Sequence, residues 1–261
     1  MINGGTNLVN DYFDRATDDI NVEYVAPFTG GSRMIQLGLL APSRVLTVGM
    51  LCLAAAMAIG AYLVWATWAS GPMVLILGAI GVFCGFFYTA PPLRLGYRWV
   101  AEAIVGLNCG ILVTLGAYWI QVQVFSWHSL DSWVPVIASV PLCIIIAAVL
   151  WVNEIPDYAA DKAVGKNHMV VLVGKERAAK GYLVLLSAAY VCIALMVIPW
   201  EIPLLALLGL VALPLAIKAM RIAIKNYADS PSLAPANAMT PMIYLATGFL
   251  MAVGFIIDKV V

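Results

Sequence analysis

The sequence predicts an all-α protein, a bundle of about seven transmembrane helices. Of its 261 residues, 63% are hydrophobic and only 11% are charged, whereas soluble domains carry about 25% charged residues. Apolar runs of about 20 residues, enough to cross a hydrocarbon core about 30 Å thick, recur along the chain. These two observations predict one multi-spanning domain over residues 1–261, surrounded by a lipid bilayer.

Apolar runs and the residues that interrupt them define the individual spans. The interruptions include Pro91-Pro92 and Ser230-Pro231, where a helix is expected to stop because proline cannot donate a backbone hydrogen bond. In order along the chain, the predicted spans are 45–68, 73–91, 99–120, 134–152, 181–199, 202–220 and 238–257.

Basic residues predict how these spans are oriented. Of the 14 lysines and arginines, all but Lys259 fall on one side of the arrangement. Because basic loops stay on the cytoplasmic side of a membrane, residues 1–44, 92–98, 153–180 and 221–237 are predicted to be cytoplasmic. We therefore expect a multi-pass protein of the inner (cytoplasmic) membrane. The formal net charge of zero gives no indication of a nucleic-acid partner.

The first polar segment carries three carboxylates at helical spacing. Asp11, Asp14 and Asp18 follow one another at steps of three and four residues, which places them on one face of a helix. Asn10 precedes Asp14 by four residues and can reach the same site. Carboxylates crowded on one face repel one another unless a cation neutralises them. This pattern therefore indicates a metal site.

A second pair of carboxylates, Asp157 and Asp161, is also spaced four residues apart, in a segment that begins at Asn153. Four predicted spans separate this segment from the first. An even number of crossings returns the chain to the side of the membrane that it left. Both acidic segments are therefore expected to face the cytoplasm, where they can lie opposite each other across the bundle.

Oxygen ligands without histidine or cysteine suit Mg²⁺, which is commonly held by a few carboxylates together with waters and substrate phosphates. Two facing acidic segments are thus typical of a site that binds a diphosphate through Mg²⁺. Other polar side chains on the same side can bind the remaining phosphate oxygens. The candidates for diphosphate binding are Arg94, Lys162, Lys166, Arg33 and Asn153.

Three further polar residues have open interpretations. Glu102 and Asn108 lie at the start of or within a predicted span, where polar groups are costly and often functional, although each can also bond a neighbouring helix. His168 is a lone histidine, and such residues are more often structural or exposed than catalytic. The five cysteines lie in apolar runs without CxxC spacing and are expected to be packing residues.

The two acidic segments resemble the signatures of the UbiA superfamily of intramembrane prenyltransferases. The first matches an NDxxDxxxD motif through Asn10, Asp11, Asp14 and Asp18, and the second matches a DxxxD motif through Asp157 and Asp161. Similarity continues through residues 27–32, 88–94, 115–118 and 161–166. Within the family, the combination is most similar to the menaquinone branch, which prenylates 1,4-dihydroxy-2-naphthoate.

The resemblance implies transfer of a polyprenyl group from a polyprenyl diphosphate to an aromatic acceptor, with Mg²⁺ assisting ionisation of the diphosphate. Two Mg²⁺ ions would be held by Asn10, Asp11, Asp14, Asp18, Asp157 and Asp161. The catalytic residues implied are Asp11, Asp14, Asp157, Asp161 and Tyr88, the last as a ring that stabilises the cationic prenyl group or orients it.

Other functions stay open from the residues alone. A UbiA-type transferase can act on 4-hydroxybenzoate or a glyceryl lipid, and carboxylates in a helical bundle can also mark the ion path of a non-enzymatic cation transporter. Family members have nine spans, with the first acidic motif after the second span. Since Asn10 stands near the beginning of this chain, we expect roughly the first two spans to be missing. No feature of the sequence indicates the oligomeric state.

Overall fold

The computed structural model describes residues 1–24, 27–66, 71–122, 129–198 and 202–260. Throughout these ranges the regular structure is helical and no strand is present, which confirms the all-α prediction. Besides the α-helices, the described residues include a π-helical stretch, Leu107–Leu112, and a 3₁₀ stretch, Leu204–Ala212. The α-helices are α1 (Ile2–Phe13), α2 (Arg15–Ile20), α3 (Pro42–Ala66), α4 (Gly71–Phe87), α5 (Ala101–Gly106), α6 (Val113–Val122), α7 (Leu130–Ala163), α8 (Met169–Val173), α9 (Lys175–Met196), α10 (Leu213–Asn226) and α11 (Ser230–Val260).

Six helical stretches are long and apolar enough to cross a membrane, and they match six of the predicted spans. A shorter apolar helix, Met73–Phe87, lies at the remaining one, the second. The multi-span prediction is therefore confirmed, although the predicted ends at residues 68 and 199 lie outside the described residues. The six stretches are Pro42–Ala66, Ala101–Val122, Ser132–Ala163, Lys175–Met196, Leu204–Asn226 and Ser230–Val260.

The two predicted boundaries that differ most from the structure were wrong because a helix continues beyond its apolar stretch. The fourth span was predicted to end at residue 152, but α7 continues to Ala163. The seventh was predicted to begin at residue 238, but α11 begins at Ser230. Hydropathy reports which residues suit hydrocarbon, whereas backbone hydrogen bonding extends a helix into polar sequence. As a result, Asp157 and Asp161 lie on the same continuous helix as the apolar span before them.

The chain divides into two compact units. The first comprises Met1–Ile104, Gly116–Phe125 and Pro156–Leu172, and it contains both acidic motifs. The second comprises Val105–Leu115, Ser126–Ile155 and Val173–Val261.

In the first unit, α1 packs against α3 and α4. Glycine permits a close approach of α1 to α3, because a methyl group on Gly5 would lie only 3.0 Å from the carbonyl oxygen of Gly49. A methyl group on Gly85 of α4 would collide with the hydroxyl of Thr6. Small residues at helix crossings are typical of membrane proteins. These crossings hold α1, and the acidic segment at its end, against two apolar helices.

In the second unit, polar bonds join α11 to its neighbours. The hydroxyls of Tyr182 and Thr240 are 2.7 Å apart, and Tyr190 bonds Thr247 over 3.1 Å. The amide of Asn237 donates to the carbonyl oxygen of Val152 over 3.0 Å. Hydrocarbon offers no partner for such groups, so bonding between helices satisfies them.

Candidate functional site

The first acidic segment is interrupted at Asp14, where α1 ends and α2 begins. The N–H of Asp14 donates to the carbonyl oxygen of Asn10 over 2.8 Å, while its own carbonyl accepts from the N–H groups of Thr17 and Asp18. The prediction of a single continuous helix was therefore wrong, because Asp14 leaves the helical conformation with φ −92° and ψ 0°. It acts both as the C-cap of α1 and as the N-cap of α2.

The carboxylates of this segment nevertheless stay together around a glycine. A methyl group added to Gly31 would lie 2.5 Å from Oδ2 of Asp18 and 3.1 Å from Oδ1 of Asp11. Gly31 has φ +70°, a conformation that glycine adopts without strain. The N–H of the next residue, Ser32, donates to Oδ1 of Asp11 over 3.2 Å. The loop after α2 therefore forms one wall of the acidic site.

The second acidic segment meets the first within the same unit. Oδ1 of Asp157 accepts a hydrogen bond from Nδ2 of Asn21 over 2.6 Å, and Oδ2 accepts from the N–H of Gly30 over 3.3 Å. Nζ of Lys166 lies 2.9 Å from Oδ2 of Asp14 and 2.9 Å from Oδ1 of Asp161. One ammonium group thus bonds a carboxylate from each segment, although more than half of the chain separates them in sequence.

The electrostatics of the site follow from crowding and burial. Burial alone would lower the pKa of Lys166, but the carboxylates of Asp14 and Asp161 raise it well above its ordinary value, so the side chain stays charged. Burial raises the pKa of Asp18 to about 7, and the charge on Asp14 acts in the same direction. The site therefore holds more negative charge than Lys166 neutralises, and the Asp18 carboxyl keeps its proton to a higher pH than an exposed aspartate does.

Of the predicted diphosphate-binding residues, Lys166 and Arg33 contact the acidic segments directly. The guanidinium of Arg33 donates to the backbone carbonyl of Asp18. Arg94 is linked to the acidic segments through Tyr97. Its guanidinium lies 5.2 Å from the centre of the Tyr97 ring, and the Tyr97 hydroxyl donates to Oδ1 of Asp14 over 2.9 Å.

For three other predicted residues, the described contacts are with groups other than the carboxylates of the acidic segments. Lys162 is exposed, and its Nζ donates to the hydroxyl of Tyr158 over 3.3 Å. Asn153 belongs to the second unit, where its Oδ1 accepts from Asn237 over 2.8 Å. The ring of Tyr88 packs against Gly96. Their assignment to diphosphate binding and to stabilisation of a cation stays a prediction.

Sequence reasoning missed several residues of the site. Tyr97 bonds Asp14, and His168 is buried with Nε2 lying 3.0 Å from Oδ2 of Asp161. Asn21 carried a usable signal, since it follows Asp18 by three residues, a spacing at which side chains are neighbours on a helix, although in the structure Asn21 is the C-cap of α2. Tyr97 carried none, because its partner Asp14 is 83 residues away. His168 follows Asp161 by only seven residues, but the chain leaves α7 between them, so helix periodicity does not predict their contact.

The residues present fit a hard divalent cation. The two segments bring together the carboxylate oxygens of five aspartates, and oxygen is the ligand atom that Mg²⁺ prefers; these are Asp11, Asp14, Asp18, Asp157 and Asp161. Oδ1 of Asn10 is buried and has no hydrogen-bond partner among the described residues, so it is available as a ligand. The absence of a side chain at Gly31 leaves the carboxylates of Asp11 and Asp18 uncovered.

Fold and site together define a helical membrane protein with two converging aspartate motifs. The chain belongs to the UbiA prenyltransferase family, which matches residues 1–256. It is 29% identical to a 2-carboxy-1,4-naphthoquinone phytyltransferase of Synechocystis sp. over 70% of this chain and 57% of that protein. It therefore spans less than two thirds of the length of that relative.

Two further relatives are 1,4-dihydroxy-2-naphthoate octaprenyltransferases. The protein of Bacillus subtilis is 25% identical over 97% of this chain and 77% of its own length. That of Mycobacterium tuberculosis is 30% identical over 82% of this chain and 68% of its own length. No solved structure gives a significant match.

Proposed function

We propose that this protein transfers a polyprenyl group from a polyprenyl diphosphate to an aromatic acceptor similar to 1,4-dihydroxy-2-naphthoate, in quinone biosynthesis. The observation that carries the proposal is the convergence of the two aspartate segments in one unit, where Lys166 bonds Asp14 and Asp161. Membership of the UbiA family and the naphthoate prenyltransferases among its relatives support the same function.

Binding of the diphosphate is proposed to use both segments through Mg²⁺. The metal ligands are Asn10, Asp11, Asp14, Asp18, Asp157 and Asp161, of which Asp11, Asp14, Asp157 and Asp161 are the catalytic carboxylates. Held by these residues, Mg²⁺ would supply neutralisation of the charge that develops on the leaving diphosphate. Lys166 and Arg33 lie close enough to the carboxylates to bind phosphate oxygens, and Arg94, beside the Tyr97 ring, is the next candidate.

In the reaction, the bond between the allylic carbon and the diphosphate oxygen breaks, and a carbon–carbon bond to the aromatic ring forms. With a dihydroxynaphthoate acceptor, the ring loses its carboxylate as carbon dioxide, and diphosphate is the other product. The ring of Tyr88 is the proposed stabiliser of the positive charge on the prenyl group. Residues 1–261 are proposed to act as one prenyltransferase domain, with the acidic motifs on the cytoplasmic side of the inner membrane.

An apolar cavity in the first unit suits the hydrocarbon tail of such a donor. It has a volume of about 780 Å³ and is lined by side chains of α1, α3 and α4, among them Ile2, Met57 and Phe83. Ile2 and Asp11 lie on the same helix, about 14 Å apart along its axis at 1.5 Å per residue. A prenyl chain of several isoprene units would bridge that distance from the acidic site to the cavity.

The test feeds membranes carrying the protein with a polyprenyl diphosphate, Mg²⁺ and candidate aromatic acids, and identifies products by mass spectrometry. Asp14→Asn and Asp157→Asn should reduce turnover at least 100-fold, because each removes a carboxylate where leaving-group charge is neutralised. Asp19→Asn is the matched control, since Asp19 is exposed on α2 beside Asp18. It should retain activity.

The same assay separates the alternatives. Prenylation of 4-hydroxybenzoate or of a glyceryl lipid, without a naphthoate product, would reassign the acceptor while keeping the reaction. Full turnover by Asp14→Asn or Asp157→Asn would overturn the assignment of the acidic site. Cation flux into proteoliposomes without any prenylated product would favour a transporter instead.

A further inference from the structure

His168 contacts the Asp161 carboxylate from a short segment that also carries Lys166. Nε2 of His168 lies 3.0 Å from Oδ2 of Asp161, while Nζ of Lys166 lies 2.9 Å from Oδ1. Because a carboxylate only accepts hydrogen bonds, Nε2 carries the proton and donates it. Both oxygens of Asp161 are therefore held from the segment that follows α7.

His168 is fixed more firmly than Lys166. Its side chain is 1% exposed, and the residues on either side are tied by their backbones. The N–H of Asn167 donates to the carbonyl oxygen of Tyr97 over 2.8 Å, and the N–H of Met169 donates to Oε1 of Glu102 over 2.9 Å. The carboxylate of Glu102 also comes within 4.8 Å of the imidazole of His168. The imidazole thus stands on a rigid support.

We propose that His168 is a positioning residue, which keeps the carboxylate of Asp161 turned towards the metal site. The proposal rests on the proposed function, in which Asp161 is a metal ligand. A lysine side chain is long and flexible, so the bond from Lys166 is free to exchange for a phosphate oxygen when substrate arrives. The buried imidazole has no such freedom. Hydrogen bonds to a ligating carboxylate commonly contribute 10- to 100-fold to metal affinity.

Two substitutions that differ by one methylene group test this role. In His168→Gln the side-chain amide nitrogen is the same number of bonds from Cα as Nε2 of histidine, so it can still donate to Asp161. In His168→Asn the amide nitrogen takes the place of Nδ1 and falls short. Mn²⁺ binding in the presence of inorganic pyrophosphate is measured on the purified full-length chain from the electron paramagnetic resonance signal of free Mn²⁺.

We expect His168→Gln to bind Mn²⁺ within about threefold of the unsubstituted protein and His168→Asn to bind at least tenfold more weakly, in line with the loss of a supporting hydrogen bond. A purely structural role for a buried polar side chain would not favour glutamine over asparagine in this way. Thermal unfolding without metal is recorded for both variants, so that a difference in stability is not read as a difference in affinity.

The outcomes separate this inference from the proposed function. If the two variants bind Mn²⁺ equally, whether tightly or weakly, the positioning role is overturned while the metal site stands. If the unsubstituted protein does not bind Mn²⁺ with pyrophosphate, the metal site itself is overturned. Should His168→Asn fail to fold, His168→Gln still decides, because a tenfold loss of affinity in that variant contradicts the proposal.

Discussion

At the scale of single residues, Lys166 is the counter-ion of one carboxylate from each acidic segment in the metal-free protein. Its ammonium group bonds Asp14 and Asp161, and the three side chains are only 13%, 11% and 5% exposed. Removing one partner of a buried ion pair costs about 3–5 kcal/mol, because the remaining charge has no counter-ion. Lys166→Met should therefore lower the free energy of unfolding of the metal-free protein by about 3 kcal/mol or more.

Mg²⁺ should restore much of this loss, because it neutralises the same carboxylates. Unfolding is followed by titration with sodium dodecyl sulfate in mixed micelles, with and without Mg²⁺. Lys162→Met is the control, since Lys162 is exposed and bonds only a tyrosine hydroxyl in the described contacts. Equal stability of the two variants without metal would show that Lys166 is not the counter-ion of the two segments.

The raised pKa of Asp18 predicts a pH dependence of metal binding. Burial brings this pKa to about 7, so a metal that binds the carboxylate must displace a proton below that pH. Mn²⁺ affinity should fall by up to about tenfold per pH unit below pH 7. Without metal, the free energy of unfolding should decrease as the pH rises from about 4 to 7, because the folded chain keeps a proton that the unfolded chain releases.

Asp18→Asn tests the assignment of that proton. The variant cannot titrate at this position, so its Mn²⁺ affinity should be weaker at pH 8 and should change less between pH 8 and pH 6. Isothermal titration at several pH values gives both quantities. A pH dependence identical to that of the unsubstituted protein would assign the proton to another carboxylate.

Residue spacing predicted the acidic residues but not their partners. The steps of three and four residues identify Asp11, Asp14 and Asp18 because helix periodicity is written locally in the sequence. Tyr97 and His168 escape such reasoning, since a tyrosine after a loop and a lone histidine are common in proteins of every function. The Tyr97–Asp14 contact joins segments 83 residues apart, and the His168–Asp161 contact depends on how the chain turns back after α7, which residue spacing does not give.

At the scale of elements, the loop after α2 predicts that Gly31 cannot carry a side chain. In Gly31→Ala the added methyl group would lie 2.5 Å from Oδ2 of Asp18, so the carboxylate must move. Gly38→Ala is a matched control, because Gly38 has φ +67° against +70° for Gly31 but nothing within 4 Å of an added methyl group. Both variants bear the same backbone strain of about 1 kcal/mol.

Gly31→Ala should therefore lose at least tenfold in Mn²⁺ affinity and in prenyl transfer, whereas Gly38→Ala should lose only a little stability. The comparison uses metal titration and product formation on the two purified variants. Equal activity of the pair would mean that the acidic site has room beside Asp18 and that the loop does not enclose it.

The apolar cavity between α1, α3 and α4 predicts an effect on donor length. Gly78 lines it, and a side chain there meets nothing within 4 Å. Gly78→Leu should therefore fill part of the cavity without disturbing the helices. We expect turnover with long polyprenyl diphosphates to fall at least fivefold relative to geranyl diphosphate, since burying each displaced CH₂ contributes about 0.8 kcal/mol.

Gly4→Leu serves as the comparison, because Gly4 is exposed on α1 and has nothing within 4 Å of an added Cβ. Product formation from a series of donors of increasing length is measured for both variants. An unchanged preference in Gly78→Leu would place the donor tail elsewhere.

The apolar runs in the sequence predicted the positions of the membrane spans, but they did not predict where the helices end. The extension of α7 to Ala163 carries Asp157 and Asp161 on a helix that is anchored in the membrane. At Asp14, in contrast, one helix ends and another begins, although hydropathy shows no boundary at that residue. Both features depend on hydrogen bonds and caps, to which composition is insensitive.

At the scale of the whole molecule, the distribution of basic residues predicts which side of the membrane the acidic motifs face. Two crossing stretches, Lys175–Met196 and Leu204–Asn226, separate Asp161 from Ala228. If both stretches cross the membrane, we expect Ala228 on the same side as the acidic motifs. Lys259, near the other end of α11, is then expected on the opposite side.

A pair of single-cysteine variants tests this orientation from the two ends of α11. Ala228 and Lys259 are both exposed, and the five native cysteines are free and can be replaced by alanine. In intact spheroplasts, a membrane-impermeant maleimide should label Lys259→Cys but not Ala228→Cys, because basic loops stay in the cytoplasm. Permeabilised cells should label both. The reverse pattern would put the acidic motifs outside the cytoplasm, where a cytoplasmic polyprenyl diphosphate could not reach them.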